Sequence, residues 1–145
     1  MRDKIAVKDK PIHAQTASRR RLLILDDDDG MKELLTEMLG TRYEVRVVSH
    51  GLDLPRLMAE FTPHLVILDI MMPWVTGYDL CRSIKSHPAW KNTPVLMLSA
   101  KKKPEDIELA RDRGADAYLT KPFAMQDLRD KIADLLREAR GGVGR

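Results

Sequence analysis

Four short apolar runs and one alternating segment, each followed by a stretch of helical period, constrain this chain more than any other feature. Leu22-Leu23-Ile24-Leu25 is a continuous apolar run, as expected of a strand covered on both faces. Met31, Leu34, Leu35, Met38 and Leu39 then follow at the i, i+3, i+4, i+7, i+8 positions of one helix face, with Gly40 at a plausible C′ position. Residues 43–48 alternate as a strand nearer the sheet edge would. Residues 54–61 read as a short helix, with Asp53 as N-cap and Pro55 in its first turn. The cycle repeats through strand Leu65-Val66-Ile67-Leu68, a helix over 78–86, and strand Val95-Leu96-Met97-Leu98. A helix from Pro104 to about Arg113, closed by Gly114, leads to strand Ala117-Tyr118-Leu119. Met125, Leu128, Ile132, Leu135 and Leu136 mark the last helix. Five strands alternating with five helices predict an α/β fold, a doubly wound five-stranded parallel sheet with right-handed crossovers.

A chain of 145 residues suits one domain. It divides into a basic N-terminal extension over 1–20, a globular domain over 21–139 and a Gly-rich tail over 140–145. Residues 1–21 hold seven basic side chains and two acidic ones, net +5 against +3 for the whole chain, so the remainder carries −2. Such an arm can touch nucleic acid or an acidic partner, but a solvated, disordered leader is the commoner reason for one. No apolar run approaches the ~20 residues of a membrane span, and no secretory signal is legible. The lone Cys81 offers neither an internal disulfide nor a thiolate cluster. Together these features read as a cytoplasmic protein without membrane contact.

The chemistry gathers where the strands end, the place where open α/β sheets carry their functional crevice. Strand 1 ends in Asp26-Asp27-Asp28-Asp29, strand 3 in Asp69, strand 4 in Ser99 and strand 5 in Thr120-Lys121-Pro122. Carboxylates brought together repel unless a cation neutralises them. With no His or Cys at ligand spacing, the ligands are hard oxygens, which suit Mg²⁺ or Mn²⁺. Singly, each residue has a plainer role: an Asp run in a solvated turn, or a Ser capping the next helix. Taken singly, that plainer role is preferred for Ser99, Asp28 and Asp29; taken together at the ends of strands 1, 3, 4 and 5, coincidence is a poor explanation.

These residues resemble the receiver domains of two-component response regulators. Leu23 to Asp28 resembles the family's first strand and acidic pair. Asp69-Ile70-Met71-Met72-Pro73 followed by Gly77 is similar to the phosphoacceptor segment, and Pro94 to Ala100 to the fourth-strand hydroxyl motif. Gly114 to Phe123 is similar to the fifth-strand signature. The spacings agree: 42 residues from Asp27 to Asp69, 30 more to Ser99 and 22 more to Lys121. The resemblance covers residues 21–139 and implies the flavodoxin-like strand order 2-1-3-4-5.

It also implies a mechanism. Asp69 is the phosphoacceptor for a histidine kinase or phosphotransfer protein. Asp27, Asp69 and the backbone carbonyl of Met71 hold Mg²⁺, with Asp26 acting mainly through water. Ser99 and Lys121 bind phosphoryl oxygens, and Tyr118 turns inward as Ser99 moves. The Lys121–Pro122 peptide is usually cis in the family. The product is a phosphorylation-dependent switch of partner binding, not an enzyme acting on other substrates. A stand-alone, chemotaxis-type receiver is expected, with no DNA-binding domain, signalling to a separate target or a second copy through helix 4, strand 5 and helix 5. The sequence departs from the pattern at Trp74, where a small residue is frequent, and at Asp29-Gly30, where a Pro-containing turn is frequent. Met71 and Lys101 occupy positions that vary in the family. Rival readings are a pseudo-receiver interaction module and an Asp-dependent phosphatase-like hydrolase. The second leaves Lys121-Pro122 unexplained.

Overall fold

The computed structural model describes residues 19–143, with side chains through residue 139. Most of the basic extension and the end of the Gly-rich tail therefore lie outside the described residues. The elements alternate without exception: β1 (Arg21–Leu25), α1 (Asp29–Leu39), β2 (Glu44–Val48), α2 (Leu54–Phe61), β3 (Leu65–Leu68), α3 (Gly77–Ser86), β4 (Val95–Ser99), α4 (Pro104–Asp112), β5 (Ala117–Thr120) and α5 (Met125–Val143). All strand pairs are parallel, in the order β2-β1-β3-β4-β5.

The period of two along the strands divides the core into two layers. Leu23, Leu25, Val66, Leu68, Val95 and Met97 face α2, α3 and α4, where Leu57, Met58, Leu80, Ile84 and Ala110 meet them. Leu22, Ile24, Leu65, Ile67, Leu96 and Leu98 face α1 and α5, against Leu35, Leu39, Leu128 and Ile132. Each fully buried aliphatic side chain contributes roughly 1.5–3 kcal/mol of transfer free energy. The three inner strands are buried almost throughout, while β2 and β5 are half-buried edges. The apolar runs of the sequence are thus the strands with neighbours on both sides.

Three local expectations are corrected. Gly40 stands at the end of α1 with φ −67°, not in the left-handed conformation of a C′ glycine. Closeness fixes it instead: a Cβ there would stand 2.5 Å from the Thr36 carbonyl oxygen. Asp53 precedes α2 without capping it, because its carboxylate is paired with Arg56 at 3.0 Å. Helix α5 continues through Val143 and so runs into the Gly-rich stretch read as a tail. Gly114, by contrast, closes α4 with φ +102°, a conformation that favours glycine.

Candidate functional site

The crevice is built on backbone continuity past the strand ends. The Asp26 N–H donates to the Val48 carbonyl at 3.1 Å, and the Asp69 N–H donates to the Leu25 carbonyl at 3.0 Å. The ladder therefore extends one residue beyond β1 and β3 and fixes both carboxylates side by side. The Lys121 N–H donates to the Ser99 carbonyl at 2.9 Å, which fixes the loop after β5 in the same way. The Lys121–Pro122 peptide is cis, as the resemblance implied.

Lys121 reaches across β4 with its aliphatic stem. Its ammonium donates to Asp26 Oδ2 at 2.7 Å and to Asp69 Oδ2 at 3.0 Å. The other oxygens of these acids are also held: Asp26 Oδ1 accepts from the Asp28 N–H at 2.9 Å, and Asp69 Oδ1 from the Met71 N–H at 3.0 Å. Asp26 is 2% exposed and Asp69 8%. Burial presses the Lys121 ammonium toward its neutral form and is the largest single influence on it. The hydrogen bonds and charges of Asp26 and Asp69 together outweigh that influence and hold its pKa above the ordinary lysine value.

Asp27 differs from its neighbours. It is exposed, and among the described residues it makes no hydrogen bond or ion pair. One oxygen from each of Asp26, Asp27 and Asp69 lies within 4.8 Å of the others. Three carboxylates against one ammonium leave the crevice with a formal charge of −2, two positive charges short of neutrality. A divalent cation with a preference for oxygen ligands fits that deficit. Met71 is held beside Asp69 through its N–H, while its side chain points outward.

Ser99 is completely buried as the last residue of β4, and its hydroxyl accepts from the Lys101 N–H at 3.4 Å. It does not cap the next helix, which starts only at Pro104 with Lys103 preceding it. Asp28 takes the plainer role preferred for it. It caps α1 by accepting from the Met31 N–H, and Asp29 pairs with Lys32 at 3.3 Å. That cap gives α1 a defined start despite Gly30 in its first turn. Tyr118 donates its hydroxyl to the Lys101 carbonyl at 2.6 Å, so its ring lies over the β4–α4 loop in the α2–α4 layer. Burial above all pushes that hydroxyl up to about 12, so it remains a donor at neutral pH.

Two features of the loop after Asp69 went unread in the sequence. Trp74 has φ +69° and is 76% exposed, and the Val75 N–H donates to the Pro73 carbonyl around it at 2.7 Å. This is a strained three-residue turn, and the indole meets His50 edge-on at 5.5 Å. Gly77 lies directly on the acceptor backbone, where a Cβ would stand 2.4 Å from the Asp69 carbonyl oxygen. The likeness of residues 69–73 and Gly77 to the phosphoacceptor segment did not disclose this contact. Gly77→Ala is expected to destabilise the fold by about 2–3 kcal/mol in urea unfolding, because the clash is with backbone. A change below about 0.5 kcal/mol would show that α3 can move away from Asp69 at no cost.

Residues 22–133 match the sequence profile of the family described as the response regulator receiver domain. The chain is 39% identical over 125 residues to the transcriptional regulatory protein GltR of Pseudomonas aeruginosa, covering 86% of this chain and 52% of that protein. It is 35% identical over 120 residues to the DNA-binding response regulator MtrA of Mycolicibacterium paratuberculosis, covering 82% and 52%. A solved signal receiver domain of a signal transduction histidine kinase from Syntrophus aciditrophicus is similar with a TM-score of 0.76 at 32% identity, over 82% of this chain and 91% of that one. The chain spans about half the length of the curated relatives it matches. The expectation of a receiver with no DNA-binding domain is therefore corrected, since these relatives are named as transcriptional or DNA-binding regulators. With it falls the argument that the signal has to pass through helix 4, strand 5 and helix 5 to a separate target or a second copy.

Proposed function

Because this chain belongs to the response regulator receiver domain family, we propose that Asp69 is the residue that accepts the phosphoryl group. A receiver domain of this family is a phosphoryl-accepting signalling switch. The observation that carries the assignment is the double contact of Lys121 with Asp26 and Asp69 beside Asp27, which has no partner among the described residues. An Asp69 oxygen attacks phosphorus, the bond from phosphorus to the donor's imidazole nitrogen breaks, and that nitrogen takes a proton from solvent. The Lys121 ammonium, already within hydrogen-bond distance of Asp69, and the Ser99 hydroxyl bind the oxygens of the transferred group. Asp26, Asp27, Asp69 and the Met71 carbonyl would hold Mg²⁺, or Mn²⁺ in its place. When bound, the ion neutralises the carboxylates and stabilises charge on the phosphoryl oxygens.

The chain on this reading catalyses only its own phosphorylation and dephosphorylation. Phosphorylation biases a two-state equilibrium, since the adduct binds Lys121 and Ser99 better in one conformation than in the other. Among the described residues no helix is long and apolar enough to cross a membrane. Retention of acceptor, acidic pair, hydroxyl and lysine together speaks against a pseudo-receiver. The test is incubation with acetyl phosphate and Mg²⁺ followed by intact-mass measurement. One phosphoryl adduct is expected on the parent and none on Asp69→Asn. Equal labelling of the two would overturn the assignment.

A further inference from the structure

Two tyrosines hold the segment between β4 and α4 from different elements. Tyr118, on β5, donates to the Lys101 carbonyl at 2.6 Å. Tyr78, the second residue of α3, donates to the Asp106 carbonyl at 3.3 Å. Asp106 is itself the tie of that segment. Its carboxylate accepts from the Lys103 N–H at 3.2 Å and lies 3.8 Å from the Lys101 ammonium. Loop and first helical turn thus form one unit, gripped at each end by a phenol. Both rings pack against the same core layer, and burial raises both hydroxyls, so both are donors at neutral pH.

The other end of Tyr78 is what distinguishes it. It follows Gly77, whose N–H donates to the Ile70 carbonyl at 2.9 Å and whose Cα lies against the backbone of Asp69 and Ile70. No flexible residue separates the acceptor's own main chain from this helix start. The start of α3 is thus bonded and packed directly against the main chain of residues 69–70, with Tyr78 the next residue. Tyr118 bonds a different carbonyl, that of Lys101, so the two phenol bonds share neither donor nor acceptor.

We propose that Tyr78 is a positioning residue that ties the first turn of α4 to the backbone of Asp69, as a second mechanical link independent of Tyr118. The proposal rests on Asp69 being the acceptor only for what drives the link; the link itself exists in the unmodified protein. The hydroxyl's bond is long for an O–H···O contact, so it can tighten or break with small movements.

Amide hydrogen exchange read by mass spectrometry on the whole chain tests it. Tyr78→Phe keeps the ring and removes only the hydroxyl, so exchange over residues 101–108 should quicken about three- to tenfold while β1 and β3 stay protected. The variant Tyr118→Phe should quicken the same region. In the double variant the two factors should multiply, as independent links require. A single phenol substitution that leaves residues 101–108 unchanged, or a double variant no faster than Tyr118→Phe alone, would overturn the proposal. After acetyl phosphate and Mg²⁺, with the adduct quantified by mass in the same samples, the change in exchange over residues 101–108 should be at least halved in Tyr78→Phe. An undiminished change at equal adduct would also overturn it. Absence of adduct in the parent would instead sink the assignment of Asp69 and leave the unmodified protein to decide on Tyr78.

Discussion

Replacing Asp27 with alanine is expected to abolish Mg²⁺-dependent phosphorylation while leaving the fold at least as stable as the parent. The two halves of that expectation come from one geometry. Asp27 is exposed and bonded to nothing among the described residues, so its removal breaks no native contact. One of its oxygens nevertheless lies within 4.8 Å of those of Asp26 and Asp69, so its removal relieves repulsion in metal-free buffer. On the proposed reading, what is lost is a ligand of the cation. Adduct formation with acetyl phosphate should fall at least about 100-fold, equivalent to roughly 2.7 kcal/mol, and Tm in EDTA should not drop. Asp29→Ala, two residues away and paired only with Lys32, is the control and should phosphorylate like the parent. If Asp27→Ala titrates with Mg²⁺ as the parent does, the cation is held elsewhere.

Lys121→Ala should cost both stability and chemistry. The ammonium is the ion-pair partner of two acids whose side chains are 2% and 10% exposed, and its own side chain is only 17% exposed. Its loss leaves buried carboxylates without a counter-charge, a change that costs about 3 kcal/mol in comparable cases. Urea unfolding in EDTA should show that loss, and Mg²⁺ should recover part of it by binding the native state. Adduct formation should fall by a further factor of at least about 100, because nothing replaces the donor to the phosphoryl oxygens. The pH dependence has a definite sign. The folded-state pKa of Lys121 is raised, so its stabilisation is fully present below the unfolded value of about 10.4 and is lost as pH rises through the folded value. The parent–variant difference should therefore be flat across neutral pH and shrink only in strong alkali. A variant as stable as the parent in EDTA would mean that Asp26 and Asp69 are neutralised in some other way.

The three inner strands were the most legible part of the fold because both their faces are buried. Leu65-Val66-Ile67-Leu68 carries no polar residue, and it is the central strand with a covered layer on each side. Helix ends were less legible, since they depend on contacts between distant residues. Gly40 looked like a left-handed cap, yet its need for glycine arises from a carbonyl one turn earlier. Nothing in the composition of the Gly-rich stretch told that α5 would run to Val143.

The candidate site was legible in its residue types and spacings, because strand ends bring Asp26, Asp69 and Lys121 within hydrogen-bond distance, with Ser99 at the end of the strand between β3 and β5. Its supports were not. That Gly77 touches Asp69, that Trp74 sits in a strained turn against His50, and that Tyr78 reaches Asp106 all follow from loop paths that no local pattern encodes. The expected absence of a DNA-binding domain went wrong for a different reason. It was drawn from the extent of the chain, whereas the curated relatives run to about twice the matched length.

The central claim, that the transferred group resides on Asp69, is tested most directly by locating it. Borohydride reduces an aspartyl phosphate, but not a free carboxylate, to homoserine. Protein treated with acetyl phosphate and Mg²⁺, reduced and then digested, should yield homoserine at position 69 and at no other aspartate. The signal should be absent without Mg²⁺ and absent in Asp69→Asn. Homoserine at position 26 or 27, or an adduct of the parent that leaves position 69 unreduced, would contradict the assignment.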